Sequence, residues 1–388
     1  MKRILPILLI LVCLCSCAPQ FEITQTARST PTVTEPASLP LLRVAYSKNA
    51  EPWIWTEGEG PRQLMDTDNV MEVHISSDGL VIAFKREDTG EVFAVNADGS
   101  GLHNLISAEF LEGKNATVWI FDFAPGTHSI YFTLAPRTGN FAPYYDLHRV
   151  DADTNTPTPS LVRAPGQGGI VAFSPDGQWM TLYHGGGIDL VRADGGESRA
   201  IFSSPPEGYE PVTLDPGIVW KPDSSGFSLF HVNAVWFIPI TGGDPVLSPT
   251  LPILWGAISP DGQRVAYMSP GNPSEIHIFE VDATDTLYDT VENSSFGGWL
   301  PDSEHFTIIV DVVIEGFYGM AKQYYIGALG EDLTRLTDTD DAYPVVWLSN
   351  ERFLFVGMGE LHIQTVGEAS VLLDENVYNI FDYAWVTP

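Results

Sequence analysis

The feature that most constrains how this chain can fold is an internal repeat. From about residue 41 onward, a short apolar strand runs into a tight turn rich in Asp, Pro or Gly, and a second apolar strand follows. The clearest copies are Ile170-Val171-Ala172-Phe173-Ser174-Pro175-Asp176-Gly177-Gln178-Trp179 and Ala257-Ile258-Ser259-Pro260-Asp261-Gly262-Gln263-Arg264-Val265-Ala266-Tyr267. Degenerate copies centre on Ser77-Asp78-Gly79, Pro125-Gly126, Lys221-Pro222-Asp223, Leu300-Pro301-Asp302 and Ser349-Asn350. Pro presets φ and has no N–H to give to a ladder, Asp bonds nearby backbone, and Gly supplies the positive φ that closes a hairpin. A repeat of this kind buries its apolar faces only by stacking on its neighbours.

Each copy is followed by a third strand with an acidic–aliphatic–aromatic pattern, as in Glu91-Val92-Phe93, Asp146-Leu147-His148, Glu275-Ile276-His277 and Glu360-Leu361-His362. A second turn, best seen in Asn96-Ala97-Asp98-Gly99, leads to a fourth strand. Four short antiparallel strands per unit make a propeller blade. Second strands are expected near residues 43, 81, 130, 179, 227, 264, 306 and 353, and their spacings of about 37–49 residues suit that unit. The expected fold is therefore all-β: a single β-propeller of eight four-stranded blades over residues 41–388, with seven blades as the alternative count. The first unit, residues 41–65, lacks an innermost strand, and the chain ends in an orphan one, Ile380-Phe381-Asp382-Tyr383-Ala384-Trp385. That terminal strand should complete the first blade and close the ring.

The Ser-Pro-Asp-Gly turns together with Asn96-Ala97-Asp98-Gly99-Ser100-Gly101 resemble the TolB-type, WD40-like Pro-Asp repeats of bacterial envelope propellers. The resemblance covers residues 41–388 and implies a fold, not a function, because such repeats serve partner-binding proteins and peptidase-associated propellers alike. The α/β domain that precedes the TolB propeller has no counterpart here.

Before the repeats lie two segments of different character. Lys2 and Arg3 precede an apolar run at residues 4–14 that is short for a bilayer span, and Leu14-Cys15-Ser16-Cys17 follows. This resembles a bacterial lipobox, so residues 1–16 read as a lipoprotein signal peptide and Cys17 as the acylated residue; Cys15, behind the bulky Leu14, fits less well. Residues 17–40 read as the anchor and a Thr/Pro-rich stalk. The expected location is the cell envelope, outside the cytoplasmic membrane. All three cysteines fall in this leader, which leaves the propeller without disulfide or thiol chemistry. Of the 19 basic residues, 17 remain beyond Lys2 and Arg3 against 50 acidic ones. Such a surface repels phosphate backbones and argues against nucleic-acid binding.

Motifs with chemical meaning mostly read better as structure. His184-Gly185-Gly186-Gly187 imitates an oxyanion-hole sequence, but the chain holds no Gly-x-Ser-x-Gly nucleophile elbow. Asp151-Ala152-Asp153-Thr154-Asn155 starts like a calcium loop and then has Thr156 and Val162 where Gly and Glu belong; the Asp338, Asp340, Asp341 turn is similar. The nine histidines lack chelating spacings. His148, His277 and His362 occupy the site of Phe93 and should pack as planar rings between blades. No cofactor and no metal are expected.

One asymmetry points to function. The longer segments, residues 134–144, 204–217 and 313–323, connect second to third strands or one blade to the next, and both connections emerge on the same propeller face. That face should carry Arg137, Tyr144, Tyr145, Tyr209, Phe317, Tyr318 and Lys322 as binding residues, with Lys85, Arg86 and Lys114 nearby. Aromatics on scaffolded loops suit recognition. The sequence thus reads as a non-catalytic, monomeric scaffold that binds an envelope protein, peptide or glycan. The alternative is a propeller enzyme, a glycosidase, lyase or hydrolase, using carboxylates in the central channel.

Overall fold

The computed structural model describes residues 40–137, 146–164, 167–184, 187–202, 217–231, 234–242, 246–247, 256–269, 272–280, 285–290, 293–313, 320–339 and 341–386. Eight four-stranded antiparallel sheets follow one another around a ring. Blade 2 shows the pattern: Val70–Ile75 innermost, then Val81–Arg86, Val92–Asn96 and His103–Ile106 outward. Innermost strands of blades 3 to 8 are Ala116–Phe123, Ile170–Phe173, Ile218–Trp220, Ala257–Ile258, Ser294–Trp299 and Ala342–Trp347. Second strands begin at Leu41, Val81, Ser129, Trp179, Gly226, Arg264, His305 and Arg352, each within two residues of the spacing read from the repeat. Eight is the blade count.

Blade 1 joins the two ends of the ring. Leu41–Lys48, Glu51–Thr56 and Gly60–Gln63 supply its outer three strands, and Val377–Val386 its innermost. The register runs from Leu41↔Val386 to Tyr46↔Phe381 and then slips at a bulge to Lys48↔Val377. Closure in this way leaves no innermost edge open to another chain.

Packing explains why the ring holds together. Each of eight apolar clusters draws on two consecutive blades. Leu105 and Phe121 lie in the cluster shared by blades 2 and 3, Phe227 and Leu190 in that of blades 4 and 5, Leu42 and Leu354 in that of blades 8 and 1. The remaining five clusters fill the other five seams. The core is thus a set of radial wedges, which is what a strand pattern apolar on both faces requires.

The turns between first and second strands form one face, and their side chains lock it. In blade 4 the Ser174 hydroxyl donates to Asp176 Oδ1 (2.6 Å) and accepts from Trp179 N (3.0 Å), while Gln178 N donates to the same carboxylate oxygen (3.0 Å). Ser259 and Asp261 repeat this in blade 6, and Ser76 and Asp78 in blade 2. Blades 5 and 7 hold a complementary form, Trp220-Lys221-Pro222-Asp223-Ser224 and Trp299-Leu300-Pro301-Asp302-Ser303. Their serines adopt positive φ, and their hydroxyls accept from Asp176 N (3.1 Å) and Asp261 N (2.9 Å) in the preceding blade. Their indoles donate back to Ala172 O (3.1 Å) and Ala257 O (2.8 Å). The degenerate turns of blades 5 and 7 are therefore the second members of blade pairs.

One sequence expectation changes here. The histidine rings stack within a blade, not between blades: His148 on Phe132, His277 on Tyr267 and His362 on Phe355, each a cross-strand neighbour. A ring placed opposite another aromatic on the same sheet face meets it first. In addition, the connection from blade 2 to blade 3 contains a short helix, Ala108–Lys114, started by the Ser107 hydroxyl accepting from Phe110 N and ended by Asn115 in the left-handed region.

Candidate functional site

Strand direction defines two faces. Every innermost strand runs from the face of the long connections toward the face of the Asp-Gly turns, so a residue's position along its strand says which face it approaches. Two places stand out: the channel wall formed by blades 1 to 3, and the face of the long connections.

On the channel wall, the innermost strands of three blades bring His74, Glu72, Asp122 and Asp382 around a cavity of about 520 Å³. His74 Nε2 faces Glu72 Oε1 at 3.3 Å, and Nδ1 faces Asp122 Oδ1 at 3.4 Å. The ring also meets Phe121 edge-on, with centroids 4.7 Å apart. Burial disfavours the imidazolium, but hydrogen bonds to Asp122 and Glu72 outweigh it and push the pKa up to about 10. Burial likewise works against Glu72 ionisation, yet the hydrogen bond from His74 and the Lys85 charge pull its pKa below the usual carboxylate range. Asp382 goes the other way. Burial raises it, only partly countered by N–H donation from Ile75 (2.9 Å) and Tyr383 (2.8 Å).

This cluster is largely compensated within itself. Glu72 holds both Lys85 and His74, and Asp382 accepts two backbone donors. His74, charged at neutral pH with both ring nitrogens facing carboxylates, is poorly set to take up a proton there. Its geometry ties three blades together beside the closure strand. None of these four residues was singled out in the sequence, although Phe121-Asp122-Phe123 and Phe381-Asp382-Tyr383 share a Phe-Asp-aromatic pattern that no other described strand has.

The long-connection face differs in kind. The exposed large apolar residues Met71, Val313, Met320, Tyr343, Met358 and Tyr378 all stand at the loop end of their strands or in the adjoining turns. At the opposite end are Leu41, Leu80 and Leu102, while Leu161, Leu287, Val371 and Leu372 lie on outermost strands.

The structure places Arg137 on the long-connection face, exposed, its Nε donating to Ala116 O at 3.0 Å. Lys322 lies there too, 3.2 Å from Asp311 and 5.5 Å from the centre of the Tyr343 ring. Lys85, Arg86 and Lys114 reach the same end of blades 2 and 3 and pair with Glu72, Asp88 and Asp146. Cys17, Tyr144, Tyr145, Tyr209, Phe317 and Tyr318 lie outside the described residues. Val313, Met320, Tyr343, Met358, Tyr378 and Met71 are the residues of this face that sequence reasoning passed over. Each lies near a turn and far from the others in sequence or among ordinary strand residues, and only the strand register gathers them.

Fold and seams together define an eight-bladed β-propeller. Solved structures agree with that class: a crystal structure of the eukaryotic initiation factor is similar at TM-score 0.55 and 12% identity, covering 90% of this chain and all of that one. Kluyveromyces lactis Hsv2 (TM-score 0.46, 11% identity, 83% of this chain and all of that one) and an oligogalacturonate lyase in complex with manganese (0.46, 12%, 76% and 94%) are further off. At these identities the likeness is one of fold. No protein-family model matches the chain, and no curated protein matches it in sequence.

Proposed function

We propose that this chain is a binding or scaffolding propeller of the cell envelope, of the TolB-like kind, exported and tethered by a lipid on Cys17. It engages a protein, peptide or glycan through its long-connection face. The observation that carries this reading is the collection of exposed Met, Tyr and Val side chains on that face. The turn face spends its polar groups on itself and holds fewer such residues. Apolar side chains displayed on rigid strand ends gain free energy when a partner covers them.

A second reading, catalysis by channel carboxylates, draws on Asp382, whose raised pKa sits beside the 520 Å³ cavity. The charge compensation of Glu72 and His74 weighs against it.

The test is capture of envelope proteins by full-length protein in native membranes. The Met320/Tyr343/Met358→Ser variant should lose capture roughly thirtyfold, as anchors of this class do. Gln178/Gln263→Ala on the turn face should bind like wild type. Equal capture by both variants would overturn the assignment of the face. Cys17→Ala should abolish acylation, releasing the protein or leaving an unprocessed precursor; a processed Cys17→Ala protein still on the membrane would contradict the anchor.

A further inference from the structure

We infer that the long-connection face of blades 7, 8, 1 and 2 docks a basic amphipathic polypeptide segment. This rests on the reading of that face as the binding surface and adds the chemistry of its partner.

The six apolar residues succeed one another around the ring from blade 7 to blade 2: Val313 and Met320 flank the paired Val312 and Ala321, and backbone contacts link the blades step by step. Met320 leads into Lys322, whose N–H donates to Asp341 Oδ1 (3.2 Å), beside Tyr343 in blade 8. Ala342 pairs with Gly357, which sets Tyr343 near the turn holding Met358. Val377 N donates to Gly359 O (2.8 Å), joining Met358 to Tyr378 on the closure strand. Asn49 N donates to Asn376 O (3.3 Å) and Val70 N to Ala50 O (2.9 Å), which carries the arc on to Met71 in blade 2.

Composition and charge select the partner. Three of the six are methionines, whose flexible, polarisable side chains remould around varied apolar surfaces. Around them the cations are already paired: Lys48 with Asp374 (2.5 Å), Arg86 with Asp88 (2.8 Å) and Lys322 with Asp311 (3.2 Å). Asp66, Glu87 and Glu375 are exposed at the same end and form no ion pair among the described residues. An apolar arc with surplus acid at its rim complements a helix that shows an apolar stripe flanked by Lys or Arg. It repels anionic lipid and acidic glycans.

Three synthetic probes test this by titration against the full-length protein: an amphipathic leucine–lysine peptide, its leucine–glutamate counterpart, and a leucine–lysine peptide of shuffled order. The first should bind, and affinity should fall several-fold when salt rises from about 0.05 to about 0.5 M. Met320/Tyr343/Met358→Ser and, independently, Met71/Tyr378→Ser should each weaken it roughly tenfold or more, with unchanged melting temperature as the folding control. Preference for the glutamate or shuffled peptide, wild-type affinity in both variants, or binding of phosphatidylglycerol vesicles in place of the peptide would overturn the inference. If membrane capture is lost in the serine variant while no leucine–lysine peptide binds, the partner class is wrong and the face stands. If capture survives the variant, the face itself is wrong.

Discussion

The two faces of this propeller solve different problems. On the turn face, hairpin geometry dictates the side chains: a serine hydroxyl and an aspartate carboxylate satisfy the turn's own N–H groups, and the next blade's serine or tryptophan reaches back to the backbone. Little there is left over for a partner. On the opposite face, methionine, valine and tyrosine stand exposed at strand ends and, at Met358, in a two-residue turn. A fold that fixes one face by hydrogen bonding leaves the other free to vary, and the proposed partner meets the face that is left free.

Opening the ring should disturb both faces at once. Deleting residues 378–388 removes nearly all of the innermost strand of blade 1, exposing a strand edge and the cluster around Leu42, Val44 and Tyr46. Both faces lose their frame, so aggregation or loss of cooperative unfolding is expected, read by size-exclusion chromatography and thermal melting. A monomeric, cooperatively melting truncation would show that closure is dispensable.

A smaller effect probes the turn face alone. Gly177 has φ +65°, and a Cβ there would run into the Pro125 carbonyl oxygen of blade 3. Gly177→Ala should cost about 1–3 kcal/mol in denaturant unfolding without changing partner capture. Lost capture at preserved stability would mean that the turn face takes part in binding.

An effect read through pH concerns the channel tie. The folded His74 pKa of about 10 exceeds its ordinary 6.5. Its contribution is therefore complete below about pH 6.5 and lost as pH rises toward 10. The melting-temperature gap between wild type and His74→Gln should shrink steadily over that window. A gap that stays constant or widens would show that Glu72 and Asp122 do not hold a charge on His74.

The sequence made the turn face legible and the other face only in outline. Ser174-Pro175-Asp176-Gly177 and its relatives state their turn geometry residue by residue, which is why strand positions and blade number followed from spacing. The orphan strand at residues 380–385 could be assigned to blade 1 because only that unit lacked an inner strand. The pairing of blades 4 with 5 and 6 with 7 stayed hidden, since Ser224 and Ser303 act on the preceding blade's backbone and not on their own turns. The channel cluster was hidden for another reason. Glu72, Asp122 and Asp382 are three acids among fifty, and only the ring brings residues 72, 122 and 382 to one wall. Arg137 and Lys322 were placed on the long-connection face by strand direction alone, whereas Met320, Met358 and Met71 needed the contacts between blades to become one surface.

Whether the long-connection face is the working surface can be read from a photo-crosslinking amino acid placed singly at Met358 or at Gln178 in the membrane-bound, full-length protein. Both positions are exposed, and they sit on opposite faces. A discrete adduct is expected from position 358, competed away by the leucine–lysine peptide, and none from position 178. An adduct from position 178 with none from position 358 would contradict it.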